Sequence, residues 1–267
     1  MKVTILGSSG QIGAYLTEYL RDKGHEVTEF DKNYSIDHDM TKIPNYQLRH
    51  AIKDSDFVFF LAFDVGGSRY LKKYQHTFQH LAEYGKPFIF ASSQMSSMSY
   101  SPYGVMKRVG ELYTRSLNGL IVKFWNVYGI EKDHDKAHVI TDFIRKGFET
   151  GVIDMMTDGT EQREFLYAED CCEALEQLML EYDQFTSDSE LHITSFRSTT
   201  ILEIAKIIQG IFKANGKIVA VEKAQTKDEV QKDARNEANP FIRKWWKAKT
   251  SIEDVIEKIF EEMKKDF

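Results

Sequence analysis

Short apolar runs alternate along this chain with longer stretches in which apolar residues recur at helical spacing. Lys2–Leu6, His25–Phe30, Asp56–Ala62, Pro87–Ala91 and Leu120–Phe124 read as strands, with amphipathic helices over Gln11–Lys23, Arg69–Tyr84 and Tyr103–Leu117. Near-continuous apolar strands separated by helices are the pattern of a parallel sheet covered on both faces. The expected fold class is therefore α/β, a doubly wound parallel sheet (Rossmann fold), with a smaller C-terminal lobe. Past Asn126 the rhythm loosens. Helices are expected at Val139–Thr150, Asp170–Tyr182, Ile201–Ala214 and Ile252–Lys265, and short strands near Ile153–Met156, Glu190–Thr194 and Lys217–Val221. Glu222–Pro240 is polar and reads as a mobile loop.

Length supports that division. At 267 residues and 31.0 kDa the chain exceeds the usual domain of ~100–150 residues without reaching two full ones. Residues 1–128 with about 164–196 are expected to form the larger domain, and about 129–163 with 197–267 the smaller lobe. The 41 acidic and 35 basic side chains leave a net charge of −6, without the general basic footprint of a nucleic-acid binder. The longest wholly apolar run, Phe57–Phe63, is far below the ~20 residues that cross a bilayer, so no membrane association is expected. Lys2 and the brief apolar stretch after it are too short for a secretory signal. Cys171 and Cys172 are adjacent, which suits neither a structural disulfide nor a zinc site. A packing role, a reducing cytoplasmic setting and no metal follow.

The first strand runs into Gly7-Ser8-Ser9-Gly10-Gln11-Ile12-Gly13, and a helix begins inside that segment. One glycine permits the tight turn, one lets backbone approach a pyrophosphate, and one lets helix and strand pack closely. The helix N-terminus then offers unpaired N–H groups to the anion. Glycines three apart also suit an ordinary turn, but this turn joins a strand to a helix. Asp31 ends the second strand, where a carboxylate can accept from both hydroxyls of an adenosine ribose and disfavours a 2′-phosphate. That favours NAD over NADP, while a plain surface turn is the other reading of Asp31.

Tyr103 and Lys107 stand one helical turn apart, so the lysine's charge can act on the phenol. Bringing a phenol from its usual range to neutrality takes about 3–4 kcal/mol, which the ammonium and an oxidised nicotinamide together would supply. With 13 tyrosines in the chain, roughly one such pair arises by chance, so position has to decide. Ten residues before Tyr103, Ser93 closes the fourth strand at the carboxyl edge, where open α/β sheets bind ligands. The serines around it also fit a serine-rich turn.

Together these residues resemble the extended short-chain dehydrogenase/reductase family, in its nucleotide-sugar epimerase and dehydratase branch. The resemblance implies cofactor contacts at Gly7, Ser9, Gly10, Gln11, Ile12, Gly13 and Asp31. It adds Asp39-Met40 beside the adenine, Leu61-Ala62 beside the nicotinamide ribose, and Tyr103 and Lys107. Asn126, in Phe124-Trp125-Asn126-Val127-Tyr128-Gly129, is similar to an asparagine close to substrate, and Arg163 to an arginine that grips a diphosphate. A planar fork of donors suits phosphate oxygens, although a surface ion pair with Glu161 or Glu164 would also occupy it. Trp246-Lys247-Ala248-Lys249 is similar to the family's Trp-x-Pro-Lys ending. Asp64-Val65-Gly66-Gly67 and Lys136-Ala137-His138-Val139-Ile140 are similar to segments of GDP-fucose synthases and GDP-mannose 3,5-epimerases. There Lys136 would touch substrate and His138 would protonate a carbanion, unless His138 merely caps its helix.

Departures narrow the reaction. Ser93 to Tyr103 spans ten residues where the family has roughly two dozen, so a loop lining the sugar pocket is missing. Gln94 stands where 4,6-dehydratases carry an Asp-Glu pair, and Lys123 and Ile130 replace a usual arginine and proline. The resemblance implies an NAD-dependent enzyme epimerising a nucleotide-diphosphate sugar through a transient keto group. Tyr103 would be its base, Lys107 the tuner and Ser93 the hydrogen-bonding partner, with the C-terminal lobe binding substrate. An NAD(P)H-dependent 4-ketosugar reductase, a dehydratase and a non-catalytic dinucleotide sensor are the alternatives. A homodimer built on the Arg69–Tyr84 and Tyr103–Leu117 helices is also implied.

Overall fold

The computed structural model describes residues 1–63, 69–98, 101–131, 138–226 and 237–267. In chain order the elements begin β1 (Lys2–Leu6), α1 (Gln11–Asp22), β2 (Glu26–Phe30), α2 (Tyr46–Lys53), β3 (Phe57–Phe60), α3 (Arg69–Tyr84), β4 (Phe88–Ser93), α4 (Pro102–Ser116) and β5 (Leu120–Phe124). They continue with β6 (Asn126–Tyr128), α5 (Val139–Glu149), β7 (Val152–Asp154), β8 (Gln162–Tyr167), α6 (Ala168–Leu180), β9 (Leu191–Ile193), β10 (Ser198–Thr200), α7 (Ile201–Ala214), β11 (Ala220–Glu222) and α8 (Ile252–Met263).

The chain forms two compact units. The first comprises Met1–Trp125, Cys171–Ile193 and Glu237–Lys247, and the second Asn126–Asp170, Thr194–Asn236 and Ala248–Phe267. Against the expected division, β6 and β8 belong to the second unit, and the segment carrying Trp245 and Trp246 to the first.

In the first unit six parallel strands lie in the order β2-β1-β3-β4-β5-β9. All four residues of β3 are buried, as a central strand covered on both faces requires. Leu6 pairs with both Phe30 and Phe60, so β1, β2 and β3 end level with one another. The chain leaves β1 for β2 on one side and crosses to β3 on the other. That reversal opens a crevice at the strands' carboxyl ends, and Gly7, Asp31 and Leu61 emerge at its rim. Below it, Phe60, Tyr74, Phe78, Phe88 and Phe90 form an aromatic core with mostly edge-on contacts. Cys171 and Cys172 form no disulfide among the described residues and are both fully buried.

The sequence pattern missed α2. It has only Leu48 and Ile52 as fully buried apolar residues, and Asn45 starts it by accepting the Leu48 N–H at 2.8 Å. Eight residues, barely two turns, give too little periodicity to read. The pattern also missed β6, β8 and β10, three strands that pair among themselves.

In the second unit β8 lies between β6, parallel to it, and antiparallel β10, while β7 pairs with β11. Its core packs α7 on α8, with Phe212 edge-on to Phe260 at 4.9 Å. Thr200 and Glu203 start α7 as a reciprocal capping box, satisfying N–H groups that the first helical turn leaves open. Asp170 accepts the backbone N–H groups of Lys249 and Thr250 and the Thr250 hydroxyl, which ties down the residues before α8. Among the described residues no helix is long and apolar enough to cross a membrane. The loop expected at 222–240 falls mostly outside the described residues.

Candidate active site

At the tip of β1 the backbone turns so tightly that side chains are excluded. Gly7 has φ +94°, and a Cβ on it would stand 2.6 Å from the Ala62 backbone. A Cβ on Gly13 would stand 2.2 Å from the Gly7 carbonyl oxygen, so α1 packs directly on the turn. Gly10 ends the turn as N-cap of α1, with no side chain capping the helix. The first N–H groups of α1, on Gln11 and Ile12, are therefore open to an anion. The Gln11 side-chain amide nitrogen is buried there without a partner among the described residues.

Asp31 is tied to this turn. Its Oδ2 accepts the Ser9 N–H at 3.2 Å and its Oδ1 the Asn33 N–H at 3.0 Å, while Asn33 Nδ2 donates to Ser9 Oγ at 2.9 Å. A glycine turn, an uncapped helix start and a carboxylate held one strand away fit a dinucleotide by its pyrophosphate and ribose. Leu61 and Ala62 both donate their N–H to the Leu6 carbonyl, at 2.9 and 2.7 Å, and so flank the same crevice. Asp39 braces its own loop by accepting from Thr41, and Met40 is buried in the core, where its sulfur accepts the Thr77 hydroxyl. The Met40 side chain packs rather than facing the crevice.

Two strands along, β4 ends in Ala91-Ser92-Ser93 and α4 packs across it. Ser101 starts α4 by accepting the Gly104 N–H at 3.3 Å, with Pro102 at the first helical position. Gly104 lets this helix start sit against the strand tip, since a Cβ there would be 2.1 Å from the Met95 carbonyl oxygen. The structure brings Ser93, Tyr103 and Lys107 together. Ser93 Oγ accepts the Met95 N–H at 3.2 Å and hydrogen-bonds the Tyr103 phenol. Lys107, 3% exposed, donates to the Ala91 carbonyl at 2.6 Å, with its Nζ 5.7 Å from the centre of the Tyr103 ring.

The electrostatics differ from the expectation. Burial raises the Tyr103 phenol above its usual range, and the bond from Ser93 offsets this only in part. Burial also lowers Lys107 to about 7, against the pull of Glu111 upward. The ammonium therefore does not by itself draw the phenol down, because the same dry surroundings that strengthen its field penalise both charges.

In the second unit, Asn126 on β6 donates from Nδ2 to the Glu164 carbonyl at 3.4 Å. Arg163 on β8 donates to the Gln162 carbonyl at 2.8 Å, and Thr194 donates to the Glu164 carboxylate at 2.9 Å. His138 is an exposed ion-pair partner of Glu131, whose hydrogen bond raises the imidazole above its usual range. Its ring caps nothing, although its N–H also reaches Glu131. Lys136 and the segment 64–67 lie outside the described residues.

Three neighbours of the site escaped the sequence reading. Asn33 carries a weak signal, an Asp-Lys-Asn turn. Phe63 closes the longest apolar run, sits edge-on to Tyr103 at 4.7 Å and faces Lys107 Nζ at 3.8 Å. Glu111 was detectable as a carboxylate one turn beyond Lys107 on the same helix face.

A family model described as NAD dependent epimerase/dehydratase family matches residues 3–193. The UDP-N-acetyl-alpha-D-glucosaminuronate decarboxylase of Bacillus cytotoxicus is 26% identical over 266 residues, covering 81% of this chain and 82% of that protein. An epimerase from the methanogen Methanothermobacter thermautotrophicus shares the fold at TM-score 0.82 and 18% identity, over 99% of this chain and 92% of that one. A GDP-6-OMe-4-keto-L-xylo-heptose reductase from C. jejuni does so at TM-score 0.82 and 15% identity, over 100% and 98%. With the dinucleotide turn and the Ser93, Tyr103 and Lys107 cluster inside the span that the family model matches, this chain belongs to the NAD-dependent epimerase/dehydratase family.

Proposed function

We propose that the chain epimerises a nucleotide-diphosphate sugar, oxidising one ring hydroxyl to a keto group and reducing it again on the opposite face. The observation that carries this reading is the meeting of the Ser93 hydroxyl, the Tyr103 phenol and the buried Lys107 ammonium at one strand tip. Bound NAD would supply a reversible hydride acceptor and, when oxidised, a positive charge. Tyr103 takes the proton of the sugar hydroxyl, and Ser93 hydrogen-bonds the same oxygen. Lys107 offsets the negative charge on the phenolate. Asp31 accepts from the ribose hydroxyls and repels a 2′-phosphate, which makes NAD the preferred cofactor. Gln94, buried beside Ser93, offers an amide and no carboxyl, so elimination of water is set aside. A relative named for a UDP-sugar acid supports the substrate class. Arg163 has the planar donor fork suited to a diphosphate, and Asn126 an amide for the sugar.

The test is incubation with a panel of nucleotide sugars, read by NMR, with the cofactor released by denaturation and weighed. New sugar signals with no net change in cofactor, and NAD as the released species, are expected. Stoichiometric loss of NADH or NADPH absorbance with a keto sugar would make the chain a reductase instead.

The homodimer is part of the same reading. Val105, Leu112 and Tyr113 leave exposed apolar surface on α4, which a second copy would cover. A solution mass of two chains is expected, and a mass of one chain at working concentration would remove the dimer.

A further inference from the structure

Glu111 is fully buried, an expensive place for a carboxylate unless its oxygens are well bonded. Its Oε1 accepts the Ser92 hydroxyl at 2.6 Å and its Oε2 accepts from Arg108 at 2.7 Å, with Arg115 4.0 Å away. Arg108 is half exposed, so the pair needed no burial for its own sake. Tyr103, Lys107 and Glu111 stand at successive four-residue steps on one face of α4 and meet the last residues of β4 one by one. Tyr103 bonds Ser93, Lys107 bonds the Ala91 carbonyl, and Glu111 bonds Ser92. Gly110 permits the approach, since a Cβ there would be 2.2 Å from the Phe90 ring.

We infer that Glu111 is a positioning residue. Its buried carboxylate clamps Ser92 and thereby sets the strand tip that presents Ser93 to Tyr103, and its charge stabilises the Lys107 ammonium one turn away. The clamp works through the backbone, because Ser92 and Ser93 are consecutive and holding one limits the other.

The charges around the two groups agree in sign. Lys107 faces Tyr103, the Phe63 and Phe90 rings, the Ala91 carbonyl and Glu111. Glu111 faces Arg108 and Arg115 on its own helix, Ser92 on β4, Ser96, Lys123 on β5 and His192 on β9. Glu190 pairs with Lys123 and His192, and Asp188 with Arg115, so the anion that acts on Lys107 is Glu111. Removing its charge takes away that support, and Lys107 must lose its proton at lower pH.

The experiment is a titration of the Lys107 side chain by carbon NMR in full-length protein labelled at lysine Cε, with the signal assigned by its loss in Lys107→Arg. Glu111→Gln, which keeps the shape and removes the charge, should lower the midpoint by about 1–3 pH units. Ser92→Ala and Glu111→Asp, which keep the charge and give up the clamp, should leave the midpoint in place. Both should lower kcat about tenfold or more at unchanged KM. A midpoint unmoved in Glu111→Gln, or one that falls as far in Glu111→Asp, overturns the electrostatic role. Unchanged kcat in both clamp variants overturns the positioning role. The kcat arm rests on the reaction proposed above, while the titration uses no substrate. A displaced midpoint in a chain without turnover would therefore sink that reaction and leave the link from Glu111 to Lys107 standing.

Discussion

Tyr103→Phe lowers turnover about a hundred- to ten-thousand-fold, the range that a positioned acid or base contributes, and leaves fold and cofactor in place. Only the phenolic oxygen is removed. The ring keeps its edge contact with Phe63, and Ser93 still accepts the Met95 N–H, so neither the strand tip nor the start of α4 loses its support. The cofactor contacts expected at Gly7, Gly10, Gly13 and Asp31 lie in the turn between β1 and α1, on α1 and just past β2, and are untouched. Turnover by NMR, bound NAD by mass and Tm by calorimetry check the three parts separately. Full turnover in the variant would move the base elsewhere. Full activity of the biological pathway without detectable turnover would favour the dinucleotide sensor.

Gly13→Ala strikes the other half of the site. The added methyl would stand 2.2 Å from the Gly7 carbonyl oxygen and 2.8 Å from the Ser8 Cα, both backbone atoms that no rotamer change can move. Relief requires α1 to lift away from β1, which costs about 1–3 kcal/mol as overpacking does elsewhere, or more. The same movement carries the open N–H groups of Gln11 and Ile12 away from the turn. A lower Tm and NAD binding weakened at least about tenfold are expected together, because one displacement causes both. A variant with normal Tm and normal NAD affinity would show that the turn is not where the pyrophosphate binds.

The two variants concern residues that were legible for different reasons. Gly13 belongs to a contiguous segment whose strand, turn and helix are all local, so spacing exposes it. Tyr103 and Lys107 share one helix, and their four-residue spacing is equally local. Their link to Ser93 crosses from α4 to β4, and it could be foreseen only because Ser93 ends a strand. The direction of the Tyr103 and Lys107 shifts was not foreseen. A sequence shows that an ammonium is near a phenol but not how far water is excluded from both.

The same limit explains the other omissions. Strands β6 and β10 hold three residues each, and together with the six-residue β8 they are stabilised by pairing with one another, which no window along the chain contains. Asn126 and Arg163 were noticed as chemistry, while the strands that carry them went unread. Met40, singled out beside the adenine, has a side chain that packs in the core, a placement that no local pattern foretells.

What could be read before any fold was known is the alternation of strand and helix, the glycine turn and the pairing of Tyr103 with Lys107, since each rests on periodicity or on backbone limits within a few residues. What required the folded chain is the row of Tyr103 with the buried Lys107 and Glu111 against Ala91, Ser92 and Ser93. Desolvation and hydrogen bonds between elements are set by how closely α4 approaches β4. That distance is fixed by packing at Gly104 and Gly110, whose neighbours lie outside the helix in the folded chain.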